Sequence, residues 1–240
     1  MVEKPTEKRK KKHSKIRLVI VAVIAAVGIS VLAYPWFMNL VYDDQVSQLK
    51  NDFLQTATNE QSSDFDALYR YLKQENENLA QTNQAALVDA FSYQTAAVDL
   101  GGYGIKDGII GFISLPKINI ELPIRLGANS ENMQKGAVHL TQTSYPIGGA
   151  STNAVIAAHR GNLMNMFRHI DELQVGDEVK IINFRETLVY QVVNIEIIDP
   201  HQIGAIKIQP GRDMVTLFSC HPVGTSQQRY LVQCERVKVK

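Results

Sequence analysis

Cysteine is scarce in this chain, present only as Cys220 and Cys234. Neither belongs to a C-x-x-C pair or to a His/Cys cluster at zinc spacing, so no metal site is expected. A disulfide is excluded too. If the runs 214–219 and 229–239 pair as a hairpin with Arg229 opposite Cys220, then Cys234 faces about Val215. At about 3.3 Å per residue the two cysteines lie well beyond the Cα spacing of about 4.4–6.8 Å that a bridge tolerates. Cys234 reads as a buried packing residue. Repeats and low-complexity tracts are missing, proline is absent from 43–98, and charge is absent from 18–42. No cofactor motif is present.

What is there begins with an uneven charge. The formal net charge of +1 conceals a basic tail of Lys4, Lys8, Arg9, Lys10, Lys11, Lys12, Lys15 and Arg17, opposed only by Glu3 and Glu7. Such a run suits nucleic acid in general. Here it directly precedes an uncharged apolar stretch, Leu18 to Tyr42, long enough to cross a hydrocarbon core of about 30 Å as a helix. Basic residues stay on the cytoplasmic side, so residues 1–17 are expected inside, 18–42 in the membrane and the rest outside, with Tyr34, Trp36 and Tyr42 near the outer interface. A nucleic-acid partner is not expected. The competing reading is a cleaved signal ending at Val31-Leu32-Ala33, but the run is longer than a usual signal core. An uncleaved anchor is the favoured reading.

Residues 43–107 are polar, with Val46, Leu49, Phe53, Leu54, Leu68, Tyr71, Leu72 and Leu79 mostly three and four apart, which predicts two or three amphipathic helices broken near 59–63. Gly101, Gly102 and Gly104 suggest a flexible boundary. From 108 to 240 the pattern is β. Runs at 109–115, 118–124, 154–159, 178–184, 188–199, 214–219 and 229–239, with a short one near 137–140, are separated by Pro, Gly, Asn or Asp. Short helices are expected at 131–135 and 163–173. The fold class is mainly β, an eight-stranded closed barrel with short helices, which leaves no sheet edge exposed.

Chemistry concentrates at three strand ends. Val215-Thr216-Leu217-Phe218-Ser219-Cys220 ends in a thiol, Ala154-Val155-Ile156-Ala157-Ala158 leads into His159, and Arg229 opens the last run. Thiolate is the attacking form of cysteine, a base must handle its proton, and a fixed cation stabilises a developing oxyanion. On spacing alone, Cys220 reads equally well as a small buried hydrophobe and Arg229 as a surface cap. Among the other histidines, His221 neighbours Cys220, but adjacent side chains on a strand face opposite ways.

Thr216-Leu217-Phe218-Ser219-Cys220 resembles the sortase signature Thr-Leu-x-Thr-Cys, with serine for the second threonine, and Arg229 falls where the sortase arginine follows the cysteine. Gly111 to Ile120 with Leu122-Pro123-Ile124 is similar to the opening barrel strands. Met133 to Ala137 through Pro146-Ile147-Gly148-Gly149 resembles the segment before the catalytic histidine, and Ala158-His159-Arg160-Gly161 the histidine motif itself. The resemblance covers about 108–240. It implies a sortase-like barrel and a membrane-anchored cysteine transpeptidase of Gram-positive cell-wall type. Cys220 would be the nucleophile, His159 the acid and base, and Arg229 the oxyanion or backbone holder, with Ser219 and Thr216 shaping the substrate groove. His139, in a segment that carries a Gly-His pair in relatives, is read as structural.

The partners so implied are a surface protein or pilin bearing a Leu-Pro-x-Thr-Gly-like signal and an amine acceptor. The motifs look most like class C, whose acceptor is a pilin lysine. Two features depart from that class. Asp99 is followed by Leu100-Gly101-Gly102 rather than by the Asp-Pro-aromatic lid, and no second apolar helix follows Lys238-Val239-Lys240. An open groove is therefore expected, with Tyr103 the only aromatic of residues 99–107 able to plug it. A class A-like enzyme attaching proteins to peptidoglycan is the alternative, as is a barrel that binds sorting signals without cutting them.

Overall fold

The computed structural model describes residues 6–59, 62–85, 87, 95–96, 98–161 and 166–237. Helix α1, Thr6–Asn59, runs through Pro35. Its stretch from Arg17 to Thr58 contains an exposed apolar window long enough to cross a membrane. By internal packing the chain divides at Tyr42, and Asp43 onward forms one unit.

Within that second unit, the end of α1 and helix α2, Ser62–Gln81, cover the barrel because their apolar stripes have nowhere else to be buried. Val46 and Phe53 are buried, and Phe53 meets Phe112 edge-on at 5.6 Å. On α2, Phe65, Leu68, Leu72 and Asn76 follow helical spacing and are all buried. Asn76 ends that stripe with a two-way clasp, donating to Tyr145 O at 3.2 Å and accepting from Tyr145 N at 2.7 Å. The glycines at the expected boundary form a capped turn. Asp99 accepts from Gly101 N at 2.9 Å, capping the 3-10 turn Leu100–Tyr103, and Gly104 closes it in the left-handed region.

Eight strands close the barrel in the order β1-β2-β3-β4-β7-β8-β6-β5. They are β1 Ile109–Leu115, β2 Ile120–Leu126, β3 Ala137–His139, β4 Thr152–Ala157, β5 Glu178–Asn183, β6 Thr187–Ile198, β7 Asp213–His221 and β8 Gln228–Arg236. The seam is the antiparallel β1–β5 pair, where Gly111 is required. A Cβ there would lie 2.5 Å from Ile182 O.

Two boundaries differ from expectation for physical reasons. The second strand starts at Ile120, because Pro116–Ile118 forms a 3-10 turn that Asn119 ends with φ 51. β4 stops at Ala157 rather than reaching His159. The helix expected over 163–173 is absent from its described part, Met166 to Leu173. Phe167 N donates to His159 O at 3.0 Å instead of back along a helix, leaving only the 3-10 turn Ile170–Glu172. The helix expected at 131–135 is present as α3, Ser130–Lys135, with Asn129 as N-cap.

Topology positions the site. β4 and β7 are parallel neighbours, paired from Thr152 with Asp213 to Ala157 with Phe218. Both therefore end at the same rim of the barrel. β8 returns antiparallel to β7 and brings Arg229 directly opposite Cys220.

Candidate active site

One small cavity, about 100 Å³, gathers His159, Cys220 and Arg229 against an apolar wall of Ala128, Met133, Leu140, Ala157 and Phe218. It is far smaller than the roughly 300–1,000 Å³ of a small-molecule site, so it suits one side chain of an extended peptide. Larger hollows of about 540 and 790 Å³ lie along 104–107, but no thiol or imidazole lines them. The three candidate residues line only the small one of these.

The three strand ends thus meet. Cys220 and His159 are both half-buried, able to react yet partly shielded from water. Arg229 is buried, and its Nη1 donates to Ser226 O at 2.7 Å and Gln228 O at 2.9 Å. Two carbonyls of its own loop therefore fix the guanidinium plane before any substrate arrives. Fixed cationic donors of this kind favour a developing oxyanion because they need no reorganisation.

The other two residues are committed elsewhere. Ser219 lines the cavity, but its Oγ donates to Ala158 O at 2.8 Å, tying β7 to the end of β4. Thr216 is fully buried and outside the cavity lining, and its Oγ1 donates to Asn153 Oδ1 at 2.9 Å. Asn153 in turn donates to Ile206 O at 3.1 Å, securing the 3-10 turn Ile203–Ile206. Both hydroxyls hold the groove's frame.

Cys234 pairs with Val215 and is fully buried. Burial pushes its thiol far above the ordinary range. Both cysteines are free, as the register argument requires.

None of residues 99–107 lines the cavity, as the expectation of an open groove requires of them. The 3-10 turns at Leu100–Tyr103 and Lys106–Gly108 pack on α2 and β2. Leu87 packs in one apolar cluster with Val155, Ala157, Phe218 and Leu231, of which Ala157 and Phe218 also line the cavity. Gln84 holds it there by donating to Gln142 O at 3.2 Å and accepting from Ile208 N at 2.6 Å. Residues 88–94 lie outside the described part.

His139 is wholly buried and stacks on Tyr145 at 5.2 Å. Its Nε2 faces Ser144 O at 2.9 Å, and a carbonyl only accepts, so the proton sits on Nε2 and Nδ1 is bare. Burial lowers its pKa from 6.5 to about 4. The unfolded chain takes up this proton near 6.5 and the folded one does not, so stability is full above 6.5 and falls as pH drops towards 4. The span from 6.5 to about 4 corresponds to roughly 3 kcal/mol at its limit. His139→Gln keeps a donor for Ser144 O but has nothing to titrate. Melting curves from pH 7 to 4 should therefore show a steeper loss for the native chain, and parallel curves would refute the assignment.

A sortase-domain family model matches residues 113–237. The chain belongs to the sortase family. It is similar to sortase D of Bacillus subtilis, 30% identical over 130 residues that cover 53% of this chain and 63% of that one. Sortase C1 of Streptococcus agalactiae matches with a TM-score of 0.72 and 31% identity, covering 81% of this chain and 96% of that one. Sortase C-1 of Streptococcus pneumoniae gives 0.67 and 32%, covering 80% and 100%. The chain spans somewhat less than two thirds of the Bacillus relative's length. Sortase structures thus share this barrel together with much of the helical segment before it.

Proposed function

We propose that this sortase is a membrane-anchored cysteine transpeptidase that cuts a Leu-Pro-x-Thr-Gly-like sorting signal between Thr and Gly and passes the acyl group to a pilin lysine. The observation that carries the reading is the parallel β4–β7 pair with its returning β8, which sets imidazole, thiol and guanidinium around one side-chain-sized apolar cavity. The proposed boundaries are a cytoplasmic tail at 1–17, a membrane span at 18–42, a helical segment at 43–107 and the catalytic barrel at 108–240, outside the membrane.

Cys220 Sγ, as thiolate, attacks the threonine carbonyl carbon, and the oxyanion forms against the Arg229 guanidinium. His159 gives its proton to the glycine nitrogen as the C–N bond breaks, leaving a thioester. An incoming amine attacks that carbonyl, His159 takes the proton, and the C–S bond breaks to restore the thiolate. A pilin acceptor is supported by similarity to a sortase C1 whose description places it in a pilus island.

The test is to incubate the full chain, in detergent, with a fluorescent Leu-Pro-x-Thr-Gly peptide and two amines, a pilin-type lysine peptide and a peptidoglycan cross-bridge peptide. Cleavage after Thr with transfer to the lysine peptide is expected. Transfer only to the cross-bridge amine would favour surface-protein anchoring, and binding without a thioacyl adduct would overturn the catalytic reading.

A further inference from the structure

The β4–β7 ladder ends at Ala157 and Phe218, before either reactive residue. Beyond it Ala158 N still donates to Phe218 O at 3.3 Å, and Ser219 Oγ to Ala158 O at 2.8 Å. The next residue after His159 is Arg160. Its side chain is 2% exposed, which is unusual for an arginine. Nη1 lies 3.1 Å from His221 Nδ1, Nη2 lies 2.9 Å from Asp171 Oδ2, and the guanidinium carbon sits 4.9 Å from the centre of the Tyr230 ring. One guanidinium thus reaches from the end of β4 to β7, to β8 and to the 3-10 turn at Ile170–Glu172.

A guanidinium only donates, so His221 Nδ1 accepts and the ring proton is on Nε2. One residue later, Gly161 has φ 106, and a Cβ there would lie 3.1 Å from Gly224 N. The exit of β4 therefore lies directly against the loop joining β7 to β8.

We propose that Arg160 is a positioning residue that holds His159 against Cys220 by clamping the end of β4 to the ends of β7 and β8. This rests on the assignment of Cys220 and His159 made above. Neither Arg160 nor His221 lines the cavity that His159 and Cys220 line, and on β7 the His221 side chain faces the opposite way from Cys220. As a stabiliser the group is poorly arranged. Its buried Nε has no partner among the described residues, and Asp171 is half-exposed. A buried charge pair of this kind is weak evidence of a stabilising role. Geometry matters here because a displacement of about 1 Å between reacting groups can cost roughly 100-fold in rate.

The test uses the full chain in detergent with a sorting peptide, following thioacyl formation by mass spectrometry and turnover by fluorescence. Arg160→Met should lower kcat roughly 10- to 100-fold with KM little changed. Arg160→Lys, which reaches one partner rather than three, should fall between. In a His159→Ala background, Arg160→Met should cost nothing further in the slow residual capture, because residues acting through one another are not additive. If Cys220→Ala still forms the adduct, the catalytic assignment itself fails. If Cys220→Ala is dead while Arg160→Met keeps its kcat, only the clamp fails, as it does if the loss persists in full without His159. Should Arg160→Met not fold, His221→Ala and Tyr230→Leu each remove one arm. A lower kcat at constant KM in both supports the clamp, and wild-type kcat in both overturns it.

Discussion

Cys220→Ala abolishes thioacyl capture and peptide cleavage, whereas Cys234→Ala leaves both largely intact. The contrast follows from where one hairpin puts the two thiols. Cys220, near the end of β7, is half-buried and opens on the cavity beside His159, so a peptide carbonyl can reach its sulfur. Cys234 is sealed within the sheet, opposite Val215, and burial pushes its thiol's pKa up, away from the reactive thiolate. Losing the Cys234 sulfur removes packing, a cost of roughly 1 kcal/mol seen in melting temperature and not in turnover. Trapping enzyme with a sorting peptide and mapping the adduct by mass spectrometry decides the matter. An adduct on Cys234, or a disulfide joining the two cysteines in active enzyme, would refute the assignment.

Much of this site was legible because β-strand geometry is nearly arithmetic. Placing Arg229 opposite Cys220 fixes every other pair of the hairpin, and Cys234 falls against Val215 as the count requires. Side-chain alternation likewise removed His221 from the list of bases. What the pattern could not supply was how a hydroxyl is used. Thr216 and Ser219 sit in the signature beside the nucleophile, yet each is bonded to a residue about 60 positions earlier in the chain, on or just past β4, and only the parallel pairing of β4 with β7 creates those partners. Gly101, Gly102 and Gly104 look mobile in sequence, but Asp99 caps them into a turn. Nor does any pattern announce Leu87, a single leucine in a stretch without periodicity that packs on barrel residues and is held through Gln84 to chain far from it. Arg160 was quoted only as part of a motif. Its depth, the one clue to its role, exists only once four elements converge.

Arg229→Met is expected to lower kcat by roughly 10²–10³ with a smaller change in KM. The guanidinium is buried, lies across from Cys220 and is oriented by Ser226 O and Gln228 O, so its charge is already aimed when the thiolate attacks. An interaction that strengthens only as the oxyanion forms appears in kcat, and one that merely holds the peptide appears in KM. Arg229→Lys keeps the charge but replaces a planar fork held by two carbonyls with a flexible, strongly hydrated ammonium, so it should recover only part of the loss. Removing the side chain also leaves those two carbonyls short of a donor, so melting temperature must be measured alongside turnover. A stable Arg229→Met enzyme with wild-type kcat and a raised KM would move Arg229 from oxyanion stabilisation to holding the sorting peptide's backbone. The oxyanion would then have to be met by backbone N–H groups near Cys220, whose removal is not open to side-chain substitution but can be probed with a thioamide at the scissile threonine, since sulfur accepts hydrogen bonds more weakly than oxygen.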